Sequence, residues 1–158
     1  MGDTMKKPTW KQYAFWIGLS EAVGGLSALL TREGQKIYNA TANQPPLSPP
    51  QWVFPVVWGS LYALMGVSAA RIAVTEERPG LNFFAAQLTV NFFWSLLFFN
   101  AQAYGFASLW LALLIALVIG MILRFRKADR LAAGLQIPYL LWLCFALYLN
   151  VGVWALNG

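Results

Sequence analysis

A chain of 158 residues that is 59% hydrophobic, 16% aromatic and only 11% charged, with a mean hydropathy of +0.56, is too apolar for a soluble domain of its length. Its net charge of +5 does not point to nucleic acid, because the cations stand at the ends of apolar runs rather than along a polar face. The absence of histidine removes the commonest general base and the commonest transition-metal ligand together, and the single cysteine, Cys144, excludes an intrachain disulfide.

One helical crossing of a bilayer takes about 20 residues, so the chain has room for about five crossings and none for a soluble catalytic domain. The first apolar run, residues 13–30, follows Lys6, Lys7 and Lys11 as a signal peptide would. It carries Glu21 and lacks a small-x-small cleavage site, and it reads as a helix that stays in the protein. Glu21 is the only acid inside a span, which makes it a functional candidate by default. Residues 31–50 form the one long connection, and Pro45, Pro46, Pro49 and Pro50 make it a candidate lid over one end of the bundle.

The second span, residues 52–74, places Trp58, Tyr62 and Met65 at i, i+4 and i+7. In the third, residues 81–100, Gln87, Asn91 and Ser95 follow at four-residue intervals with Trp94 beside them. The fourth, residues 107–123, carries Ala112, Ala116 and Gly120 as a small-xxx-small line that permits close helix approach, within the bundle or between copies. The fifth, residues 131–156, repeats the four-residue interval with Pro138, Trp142, Ala146, Asn150 and Trp154.

The predicted architecture is therefore all-α, an integral membrane bundle of five transmembrane helices in a single domain over residues 1–158. Nine lysines and arginines fall in the connections on one side and only Arg32 and Lys36 on the other. The positive-inside rule then puts the N-terminus in the cytoplasm of a bacterial plasma membrane. Trp10, Trp16 and Trp110 read as interfacial anchors, whereas Trp58, Trp94 and Trp142 align with polar residues inside their spans, as either a shared internal pocket or simple helix packing would require.

The run Pro49-Pro50-Gln51-Trp52-Val53-Phe54-Pro55-Val56-Val57-Trp58, followed by Leu61-Tyr62 and Met65-Gly66, resembles the signature of the TspO/MBR family of tryptophan-rich sensory and translocator proteins. Gln87-Leu88 with Asn91-Phe92-Phe93-Trp94-Ser95 agrees, as does Pro138-Tyr139-Leu140-Leu141-Trp142 with Phe145-Ala146 and Leu149-Asn150. The resemblance implies a five-helix bundle, often dimeric, that binds tetrapyrroles such as protoporphyrin IX and, in some members, sterols and benzodiazepine-type ligands. It places the pocket between the helices under the loop joining the first two. Trp58, Asn91, Ser95 and Trp142 match family pocket positions, with Tyr38, Pro49, Tyr62, Met65, Ala146 and Asn150 as further lining.

Two departures stand out. Leu47 occupies a position that in the family is usually tryptophan, and no tyrosine is followed at the right distance by the basic residue of the sterol pattern. A porphyrin is a flat apolar macrocycle with two carboxylates. Trp58, Trp94 and Trp142 are expected to supply ring faces, and Asn91, Gln87 and Arg32 or Lys36 the donors. Without histidine the expected ligand is metal-free, no cofactor is required and no metal site is expected. The activities this allows are binding and sensing, a light- and oxygen-dependent degradation of the porphyrin with Trp58 and Trp142 as candidate catalytic residues, or transport of a small amphiphile.

Overall fold

The computed structural model describes residues 7–158, so Lys6, counted above among the basic residues, lies outside the described residues. Five segments are long and apolar enough to cross a membrane. Helix α1 (Trp10–Leu30) starts at a capping box in which Thr9 and Gln12 each accept the other's backbone N–H. Helix α3 (Val53–Ala73) and helix α7 (Ile137–Asn157) carry Pro55 and Pro138 in their first turns, where the missing N–H costs least. Between them run α4 (Leu81–Ser95), α5 (Tyr104–Ala128) and the short α6 (Arg130–Gly134).

Residues 31–50 depart from a pure loop, because a helix, α2 (Arg32–Thr41), occupies their first half. All four prolines of the segment lie beyond it, so nothing before Ala42 interrupts the backbone ladder, and only the remainder is irregular. Leu47 sits in that remainder at φ 72° and 82% exposed, a left-handed turn residue rather than a ring over the cavity mouth. The fourth span is longer than its apolar run because both ends continue into polar residues, Tyr104 at one and Arg126 and Lys127 at the other. The fifth is split at residues 135–136, since the ring of Pro138 excludes the carbonyl four residues earlier. The third ends in a π-turn, Leu96–Asn100, which follows α4 directly.

Packing rests on glycines at close approaches. A Cβ on Gly66 of α3 would fall 2.3 Å from the Ile17 backbone of α1, and one on Gly24 of α1 would fall 2.3 Å from the Tyr62 ring. The two helices are therefore antiparallel and nearly in backbone contact. Gly120 of α5 lies against Phe83 of α4, so that member of the small-residue line is used inside the bundle, while Ala112 and Ala116 stay exposed. Trp110, expected as an interfacial anchor, instead donates its indole N–H to the Val90 carbonyl at 2.7 Å and pins α5 to α4. Trp10 is exposed, and Trp16 packs edge-on against Phe84.

Among the described residues, two ion pairs close the end of the bundle where α1 begins. Arg71 at the end of α3 meets Asp129 at 2.6 Å, and Arg124 in the last turns of α5 meets Glu77 in the α3–α4 connection at 2.6 Å. At the opposite end the lid is tied down. Asn43 and Asn157 exchange two hydrogen bonds of 3.0 and 2.8 Å, Tyr148 donates to the Pro46 carbonyl, and Pro45 rests on Gly152, where a Cβ would meet its ring at 2.7 Å. Asn100 of the π-turn donates to the last carbonyl of α1, Leu30.

Candidate functional site

Beneath α2 lies a cavity of about 390 Å³, within the size range of small-molecule sites. Its walls come from α1, α2, the first turns of α3, the end of α4 and the middle of α7. Of the residues singled out in the sequence, Tyr38, Trp58, Tyr62, Trp94, Ser95, Trp142, Ala146 and Asn150 stand on this wall. Their meeting follows from helix spacing: Trp58 and Tyr62 are one turn apart on α3, and Trp142, Ala146 and Asn150 are successive turns of α7.

Pro49, Met65, Gln87 and Asn91 are not on the wall. Pro49 is half-buried in the irregular part of the lid segment. The other three lie deeper, in a buried relay below the cavity. The Tyr62 hydroxyl donates to Asn91 Oδ1 at 3.2 Å, and Asn91 Nδ2 donates to the Tyr139 hydroxyl at 2.7 Å. That hydroxyl in turn donates to Gln87 Oε1 at 2.7 Å, and Gln87 Nε2 lies 3.9 Å from Met65 Sδ. An unpaired amide in hydrocarbon costs several kcal/mol, on the order of 4 for transfer to a medium that cannot hydrogen-bond, so these groups are committed to one another. Asn91 and Gln87, expected to offer donors to a ligand, each turn one amide N–H to Tyr139 and Met65 respectively, and neither side chain is on the cavity wall. Arg32 and Lys36 are exposed on α2, with Lys36 paired to Glu33, and neither lines the cavity.

The indoles differ in what their N–H groups do. Trp94 donates to Asn150 Oδ1 at 3.0 Å and stacks on Phe98, which fixes its plane. Trp58 stacks on Tyr62 with centroids 5.6 Å apart. Trp142 packs against Phe54 across the gap between α7 and α3, and its buried Nε1 has no partner among the described residues. That atom has no exposed surface, so Trp142 lines the cavity through its ring rather than through its N–H. Tyr38 hangs from α2 against Phe98 and Phe99, and burial, with Tyr104 nearby adding to it, pushes its phenol up to about 12, so it presents a neutral hydroxyl at ordinary pH.

Sequence reasoning overlooked the α1 wall, made of Gly24, Ser27, Ala28 and Thr31. Its signal was present as small residues at three- and four-residue intervals, facing inward because they let the aromatic walls close in. Phe54, Phe98, Phe99 and Leu149 were overlooked as well, since apolar residues in an apolar span carry no contrast. Among the described residues no cluster of His, Cys, Asp or Glu could hold a metal, and Glu21 makes no ion pair.

Comparison with known proteins bears on this arrangement. The pattern of the TspO/MBR family matches residues 16–155. The chain is 35% identical to the tryptophan-rich protein TspO of Chlorobaculum tepidum, covering 91% of this chain and 94% of that one. It is 37% identical to the tryptophan-rich sensory protein of Cereibacter sphaeroides, with 73% of each covered. With the human translocator protein the identity is 35%, over 79% of this chain and 77% of the other. A match across almost the whole bundle, lid and cavity included, settles its kinship: the chain belongs to the TspO/MBR family.

Proposed function

We propose that the protein binds a flat, mostly apolar amphiphile of the tetrapyrrole class, of which metal-free protoporphyrin IX is the test case, and that it acts as a membrane-embedded sensor of that ligand. The observation that carries the reading is the cavity under α2, faced by the indoles of Trp58, Trp94 and Trp142 with the Tyr38 hydroxyl beside them. The wall holds no carboxylate, lysine, arginine or cysteine, so any conversion of the ligand would draw its reactivity from the ligand itself, with Trp58 and Trp142 as the oxidisable neighbours. The surplus of cations at the end where α1 begins supports an orientation with that end in the cytoplasm.

Titration of the purified protein with protoporphyrin IX, followed through tryptophan fluorescence, tests this. Saturable quenching is expected, with affinity lowered several-fold, about fivefold, by Trp142→Phe, which removes part of the ring surface. Trp58→Phe is expected to lower it by a similar factor. Unchanged affinity in both variants overturns the assignment of the pocket. Illumination of the complex decides the second activity, because a porphyrin spectrum that persists in the light is binding without degradation.

The lid gives a kinetic prediction. Asn157→Ala removes both bonds to Asn43 at an exposed site, so ligand release is expected to speed up a few-fold, about threefold, with little change in thermal stability. Stopped-flow dilution of the quenched complex measures it.

A further inference from the structure

The two ion pairs that close the basic end consume its carboxylates unevenly. Asp129 is taken by Arg71 and Glu77 by Arg124, both at 2.6 Å, and Glu76 is the one acid left at that end among the described residues. The pairs also gather four chain segments. The Arg124–Glu77 contact draws the α3–α4 connection onto the end of α5, and the Arg71–Asp129 contact draws the α5–α6 turn onto the end of α3. Next to these contacts in the chain stand Arg78, Arg126, Lys127 and Arg130, all exposed and in no ion pair among the described residues. A seat of paired charges thus presents four cations that are in no ion pair among the described residues, at the ends of the membrane-spanning helices.

We propose that this surface is a binding site for the headgroups of acidic phospholipids. The phosphate of such a lipid sits at the same depth as the cations. Guanidinium groups pair with phosphate oxygens through two parallel hydrogen bonds, and Glu76, the one acid left at that end among the described residues, is too little to satisfy four cations.

The test uses full-length protein in vesicles of equal parts phosphatidylcholine and phosphatidylglycerol, extracted in mild detergent, with the retained lipid identified by mass spectrometry. Phosphatidylglycerol is expected to be enriched about fivefold over phosphatidylcholine, the preference one cation near an anionic surface confers. Combining Arg126→Gln, Lys127→Gln and Arg130→Gln should bring the ratio close to parity, as should about 0.5 M salt applied to the unaltered protein. Thermal melting in phosphatidylcholine alone checks that the variant is folded, and should it fail to fold, the salt arm decides. Parity in the unaltered protein, or an enrichment that survives both the substitutions and the salt, overturns the proposal.

Discussion

Gly66→Val is expected to abolish accumulation of the folded bundle. The added Cβ would lie 2.3 Å from Ile17 Cα and 2.6 Å from Ile17 N, and both are backbone atoms of a helix that cannot give way locally. Relief therefore requires α1 to move off α3 along their whole contact, which also lifts Gly24 from the Tyr62 ring and opens the cavity wall. Overpacking of a close-packed core commonly costs 1–3 kcal/mol, and here about 3 kcal/mol or more is expected because no side chain can absorb the strain. That is a large part of the roughly 5–15 kcal/mol that holds a typical protein together. Fluorescence-detected size exclusion should find the variant aggregated or absent. Gly59→Ala on the same helix, where an added Cβ meets nothing within 4 Å, should elute as the parent does.

Asn150→Leu is the second change with a large expected effect. Asn150 is fully buried, accepts from Trp94 Nε1 at 3.0 Å and donates to the Tyr104 carbonyl at 2.9 Å and the Ser108 hydroxyl at 2.8 Å, so one amide joins α4, α5 and α7. Leucine keeps the volume and removes all three bonds, stranding the Trp94 N–H beside the cavity. Individual interhelical hydrogen bonds in membranes average only about 0.6 kcal/mol, but three of them plus a stranded donor bring the expected loss to about 2 kcal/mol. A thermal melt in detergent reads that loss, and looser anchoring of Trp94 should weaken ligand quenching as well. The double variant Trp94→Phe with Asn150→Leu removes donor and acceptor together, and should cost less than the sum of its parts. Strict additivity would mean that the bond does not couple the two helices.

These two positions mark how far the sequence could be read. The five spans were legible because hydrocarbon thickness sets the length of a helix, and no other arrangement hides so many apolar residues. The four-residue stripes on α3, α4 and α7 were legible because helical spacing places them on one face each, and most of their members do meet at the cavity. Depth along a stripe was not. Gln87, Asn91 and Ser95 share a face of α4, yet only Ser95 reaches the cavity, because Tyr139 fills the space one turn below and takes the amides for itself. Tyr139 stood inside a quoted motif, and its role as hub depends on its height relative to two other helices, which spacing within one helix does not contain. Helix α2 escaped notice for a related reason. Its polar sequence resembles a loop, and it is held by packing of Gly34 against the π-turn and of Tyr38 against Phe98 and Phe99.

The ion pairs sit at one end of the bundle and the cavity at the other. A body riveted at one end and hollow at the other behaves like a pair of tongs. A guest larger than the cavity would have to spread that end against the hydrogen bonds of the lid while the ion-paired end kept its girth, so the work against the membrane would fall in the lid-side leaflet.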